Sequence, residues 1–193
     1  MNFIDLKQPK NELTPGTGKL LIAEPFLSDP NFSRSVILLA DHNKEGDIGF
    51  ILNQVTDFIL NELVPDFEAT DITIRQGGPV QIDTMQMLHR LPLVLGGTEV
   101  CKGIYWGGSY DALREILASG NYNPNDVQLF LGYAGWVPGQ LEKELEEGSW
   151  MISDNASEWL FDTNPKQVWQ KAIKLLGKDY EYMANMPLDP SLN

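Results

Sequence analysis

Three groups of side chains in this sequence have types and spacings that could do chemistry. The first is Asp29, Arg34 and Ser35 ahead of an apolar run, with Asn53 closing the next run, so a carboxylate, a guanidinium and an amide can meet at strand ends. A guanidinium grips carboxylate or phosphate through paired hydrogen bonds, which makes Arg34 a candidate for an anion or small ligand. A plain Asp29–Arg34 bond would only fix the loop. The second group is His42 and His89, the two histidines of the chain. With Arg34 and a carboxylate they would equip an enzyme, for instance a hydrolase, provided the fold brings them into one pocket. The third is the segment from Leu131 to Leu145, where Tyr133 and Trp136 offer large flat faces, Gln140 an amide, and the glycines room for close approach. Its chemistry is recognition of shape.

Complete catalytic or cofactor sets are not written into the chain. Thr14 to Lys19 resembles the tail of a phosphate loop, but Leu13 stands where the first glycine is required and Leu20 where Ser or Thr must follow the lysine. The pairs Gly77–Gly78, Gly96–Gly97 and Gly107–Gly108 read as tight turns. Asp41, His42, Glu45 and Asp47 lack the spacing of a calcium loop and read as a solvated turn. Cys101, beside Val100, reads as an inert core thiol, and no Gly-x-Ser-x-Gly elbow is present. Glu142, Glu144, Glu146 and Glu147 read as the solvated face of a short helix. No catalytic, metal-binding or cofactor residue is therefore assigned.

The elements that must position these residues follow from pattern and punctuation. Strands are expected at Leu20 to Ala23, Ser35 to Ala40 and Ile48 to Leu52, the last two pairing antiparallel across the polar turn 41–46. Further strands fit Ile72 to Arg75, Met85 to Leu88, Gly103 to Trp106 and Val127 to Leu131, the last breaking into a glycine–aromatic turn. A short helix over Phe58 to Leu63 would take Asp57 as its cap. Ser109 and Gly120 bracket a helix with Ala112, Leu113, Ile116 and Leu117 on one face, and Asn164, Pro165 and Gly177 bracket another with Val168, Trp169, Ala172, Ile173 and Leu176. Strands in clusters, with helices mostly after them, indicate an α+β fold.

Length and composition set the outer bounds. A chain of 193 residues with 42% hydrophobic content suits one core, and its apolar runs are far shorter than the ~20 residues of a membrane span. Residues 1–17, broken by Pro9, Pro15 and Gly16, form an N-terminal lead-in without a signal-peptide pattern, and 18–193 form the domain. One cysteine fits a reducing compartment, so the expected location is the cytoplasm. The net charge of −13 argues against direct binding of nucleic acid. Lys166, Lys171, Lys174 and Lys178 lie along a single helix and its end, where they complement its dipole.

Taken together, Asp29 to Val36, His42, Gly46, Gly49, Asn53, Gly77-Gly78-Pro79-Val80, His89, Gly132 to Trp136, Gly139-Gln140-Leu141-Glu142, Trp150, Phe161 and Trp169 resemble the bacterial YqgE/AlgH family over residues 18 to 177. The resemblance implies a single α+β domain with a bifurcated, mostly antiparallel sheet, part of it a small closed barrel, surrounded by helices. Family members often carry a transcriptional-regulator label that reflects effects on expression, and no established catalytic role comes with the matching residues. The reading is a cytoplasmic, non-catalytic binding or regulatory protein. Its partner is a protein or small molecule, with a second copy of the chain left open. Its surface is drawn from Asp29, Arg34, Asn53, Gly77, Gly78, His89, Tyr133, Trp136 and Gln140.

Overall fold

Leu20 to Ala23 are apolar without alternation, the mark of a strand buried on both faces, and they form β1 (Leu20–Ala23) between β2 (Val36–Asn43) and β10 (Trp150–Ser153). The computed structural model describes residues 13–67, 72–154, 161 and 164–187. The first twelve residues of the expected lead-in lie outside them. Among the described residues there are ten strands and five α-helices.

β2 and β3 (Gly46–Ile51) form the expected antiparallel pair, but most of the polar hexapeptide is strand rather than turn. Only Lys44 and Glu45 remain at the tip, where Asn43 Oδ1 accepts the Glu45 N–H at 2.7 Å. Asp57, expected as a helix cap, instead lies inside β4 (Val55–Ile59), and α1 is confined to Leu60–Leu63. β5 (Thr73–Gln76), β6 (Val80–His89), β7 (Thr98–Cys101) and β8 (Ile104–Trp106) follow.

The largest departure from expectation is β9 (Val127–Trp136), which does not break into a turn at Gly132 but runs on through the glycine–aromatic segment. Gly132 adopts φ 64°, and a side-chain carbon there would sit 2.6 Å from the Val80 carbonyl oxygen, so glycine bends the strand without ending it. β3 then captures its far end, pairing Gly49 with Ala134 and Asp47 with Trp136.

β9 is also where the sheet forks. One edge pairs with β6, and the other pairs first with β5, in parallel, and then with β3. Gly77 is the wedge between them. Its N–H donates to Leu131 at 2.8 Å while its carbonyl accepts from Ile51 at 2.9 Å. A carbon added to Gly77 would lie 2.3 Å from the Gly132 oxygen, and one on Gly78 would lie 2.1 Å from the Tyr133 carbonyl carbon. These glycines are sites of backbone crossing rather than simple turns.

The strand order is β10-β1-β2-β3-β9-β6-β8-β7, with β4 and β5 on the branch. The sheet is bifurcated as expected, but the small closed barrel is not formed. Among the described residues β10 pairs with β1 alone and β7 with β8 alone. β7 does reach the start of β1, where a carbon on Gly18 would meet the Val100 oxygen at 2.7 Å, yet this is packing without a ladder.

α3 (Tyr110–Ser119) begins and ends where its sequence signals stand: Ser109 Oγ accepts the Ala112 N–H at 3.1 Å and Gly120 takes φ 65°. α5 (Pro165–Leu175) buries Val168, Trp169, Ala172 and Ile173 against one face of the sheet. The opposite face packs Leu21, Ile37, Ile51 and Trp136 under Leu141 of α4 (Gln140–Glu146), and α3 covers Ile74, Met87 and Leu129. α2 (Pro92–Leu95) completes the set.

Candidate functional site

Arg34 does not meet Asp29. It takes φ 50°, and its Nη2 donates to the carbonyls of Met186 and Pro187 at 2.5 and 2.7 Å while the guanidinium lies 4.7 Å over the Trp169 ring. Asp29 instead accepts from Asn31. Asn53 fixes the backbone around Arg34: its Oδ1 accepts the Val36 N–H at 2.8 Å and its Nδ2 donates to the Arg34 carbonyl at 2.9 Å. The group thus binds the chain to itself.

His89 is fully buried. Its Nδ1 accepts the Leu91 N–H at 3.1 Å, which leaves the proton on Nε2 to be donated to the Gly107 carbonyl at 3.0 Å. Burial lowers its pKa, in keeping with a neutral ring that stacks on Tyr105 at 5.9 Å. Gly97 and Gly108 hold the adjoining backbone close to this ring.

His42 occupies a different part of the fold. Its Nδ1 bonds to the carboxylate of Asp47, which is 4% exposed, so the 41–46 segment is not purely a solvated turn. His89 pairs with Val127 at one end of β9, whereas Asp47 pairs with Trp136 at the other. Nine residues of strand span about 30 Å. Arg34, before β2, is likewise separated from His42 near the far end of that strand. Arg34, His42 and His89 do not converge. Among the described residues no three His, Cys, Asp or Glu side chains form a metal-binding group.

The Tyr133–Leu145 segment is organised by Glu144, a residue the sequence reading placed on a solvated face. Its carboxylate accepts from Trp136 Nε1 at 2.9 Å, Trp150 Nε1 at 2.8 Å and Gln140 Nε2 at 2.9 Å. Gln140 Oε1 in turn accepts the Val137 N–H at 3.1 Å. Phe32 lies against both indoles, at 6.2 Å from Trp136 and 5.7 Å from Trp150. The available signal was Gln140-x-x-x-Glu144, two polar groups one helical turn apart beside buried Leu141.

An open feature lies beside this segment. A cleft of about 420 Å³ lies between the β2–β3 hairpin, which contributes Asp41, Glu45 and Ile48, and the end of β9, which contributes Tyr133, Trp136 and Val137. Val80 closes its side. Tyr133 lies along the strand over Gly135, where an added carbon would meet its ring at 3.2 Å. Of the candidate residues, Tyr133 and Trp136 line this cleft. Gln140 braces it from behind through Glu144. Gly77 and Gly78 set the course of the strand that carries it. Asp29, Arg34, Asn53 and His89 belong elsewhere.

An open forked α+β sheet carrying one aromatic-walled cleft defines the class, a single-sheet protein whose polar signature residues are largely spent on its own backbone. Residues 20–181 match the family model described as DUF179, AlgH-like, and the chain belongs to that family. Among its relatives is a UPF0301 protein of Chlorobaculum tepidum, 44% identical over 177 residues, which span 91% of this chain and 95% of that one. A UPF0301 protein of Bacteroides fragilis is 38% identical over 188 residues, 97% of this chain and 96% of the relative. The solution structure of the AlgH protein from Pseudomonas aeruginosa superimposes with a TM-score of 0.71 at 31% identity, covering 92% of this chain and 98% of that one. A Corynebacterium diphtheriae protein shares the fold, with a TM-score of 0.74 at 21% identity over 90% of this chain and 94% of that chain.

Proposed function

We propose that this chain is a non-catalytic binding protein of the cytoplasm that acts on expression indirectly, by holding a ligand in the cleft between the β2–β3 hairpin and the end of β9. The observation that carries this reading is the division of labour among the signature residues. Arg34, Asn53, His89, Gln140 and Glu144 are engaged with backbone or with indoles and Trp136 is buried at the back of the cleft, whereas Tyr133 and Val137 border its open space. Shape and apolar area without a nucleophile suit binding. The enzyme alternative requires Arg34, His42 and His89 in one pocket, and their separation removes its support.

Co-purification from native cells, followed by mass spectrometry of the protein and small-molecule fractions, tests the proposal. Tyr133→Ala is the informative comparison because the Tyr133 side chain faces the cleft and makes no hydrogen bond among the described residues, whereas removing Arg34 or Trp136 would damage the fold. A species retained by the wild type and lost from a folded Tyr133→Ala variant supports the reading. Equal retention by both removes the cleft from consideration.

A further inference from the structure

We infer that the cleft takes an alkyl cation, a primary ammonium or guanidinium group on an aliphatic stem. This rests on the cleft being the binding site proposed above and specifies what it holds. Two observations point the same way. Ile48, Val80 and Val137 form apolar walls beside the Tyr133 and Trp136 rings, and Val137 is 67% exposed, so methylene groups have surface to cover. At the rim stand the carboxylates of Asp41 and Glu45. The ion pairs among the described residues join Lys19 to Asp154, His42 to Asp47, Arg114 to Asp111 and Lys143 to Glu147, so neither rim carboxylate has a cationic partner there.

The two kinds of surface reinforce each other. An aromatic face attracts a cation through its ring quadrupole, and nearby carboxylates add Coulomb attraction that a neutral or anionic head group would not receive. The Tyr133 hydroxyl, unbonded among the described residues, can accept a hydrogen bond from an N–H donor. A net charge of −13 raises the local concentration of cations around the molecule and disfavours anions. A volume of about 420 Å³ admits such a group with a stem of several carbons.

The test is a titration of the full chain with n-hexylamine, n-hexanol and hexanoate at millimolar concentrations. It is followed by NMR at the backbone amides of 133–137 and the Trp136 indole N–H, with melting temperature as the control for folding. The expected result is cleft-localised shifts with the amine at least about tenfold tighter than with the alcohol or the acid, and loss of that preference in an Asp41→Asn, Glu45→Gln variant of unchanged melting temperature. A blocked lysine tripeptide distinguishes the source of the cation: tighter binding than hexylamine assigns the group to a protein side chain, and weaker binding assigns it to a small molecule. Equal affinity for the three hexyl probes at the cleft would overturn the cation while leaving the binding site standing. Absence of cleft shifts with every probe would overturn both.

Discussion

Glu144 accepts three side-chain hydrogen bonds, and two of the donors, the Trp136 and Trp150 indoles, are buried beneath α4. A charge-assisted hydrogen bond to a buried donor is worth roughly twice a neutral one, and an amide in its place, keeping its oxygen on the two indoles, would turn its NH2 toward the Gln140 side-chain N–H. Glu144→Gln should therefore lower unfolding stability by about 2–3 kcal/mol in urea denaturation. Trp150→Phe, which removes one donor, should cost about 1 kcal/mol. Equal and negligible losses would mean that the three-way junction does not form. His89 gives a second residue-scale expectation. Burial depresses its folded pKa below the unfolded 6.5, so the native state binds fewer protons than the unfolded state once pH falls below that value. Its contribution is intact above pH 6.5 and declines as the solution is acidified toward the folded pKa. A folded His89→Gln variant should show a shallower loss of stability between neutral and mildly acid pH than the wild type, and parallel curves would contradict a neutral His89.

At the level of elements, the fork at β9 makes demands that single strands do not. Gly77→Ala would force a carbon to 2.3 Å from the Gly132 oxygen, whereas Gly96, at φ 78°, has nothing within 4 Å of the same position. Gly96→Ala should cost about 1 kcal/mol from backbone strain, and Gly77→Ala several times that, or prevent folding. Thermal denaturation of the pair separates crowding from conformational preference. Both ends of α3 and the start of α5 were legible because their determinants are local: Ser109, Gly120 and Pro165 act within a turn of where they stand, whereas the Asp57 cap expected for α1 fell inside β4. The antiparallel hairpin was legible for the same reason. The fork was expected only through the family resemblance and not from local pattern, since it depends on Gly77 meeting β3 and β9 together, partners distant in sequence. Gly132 inside an apolar run was the one local hint, and taking it as a stop rather than a bend cost the second half of β9. The barrel expectation failed at the same range, because ladder closure between β7 and β10 has no local signature.

For the molecule as a whole, two long-range ties matter most. Arg34 bonds to carbonyls 152 and 153 residues away, so the end of the described chain is held by the loop before β2. Arg34→Ala should speed amide exchange in the 3₁₀ turn Glu181–Asn185 while leaving α3 protected, provided the variant folds. Uniform acceleration across both elements would indicate global destabilisation instead. This role could not be read from sequence, where Arg34 looked like an anion site, because the partner carbonyls carry no side-chain signal. Charge carries an expectation at this scale that needs no structure. At −13 the chain should show no salt-dependent affinity for duplex DNA in fluorescence anisotropy at physiological ionic strength, and specific binding there would reverse the indirect mode of action proposed above.

The paired indoles behind the cleft have an optical consequence. Trp136 and Trp150 lie 6.0 Å apart with their planes 80° from each other, donate to one carboxylate, and are fixed by Phe32. Chromophores held this close in a chiral, non-parallel arrangement couple their electronic transitions, so the native protein should display a tryptophan exciton couplet in its circular dichroism. Because Trp136 also faces the cleft, an occupant that shifts its ring would change the couplet's amplitude. The protein therefore carries an intrinsic gauge of its own occupancy, readable without a label and erased by Trp150→Phe.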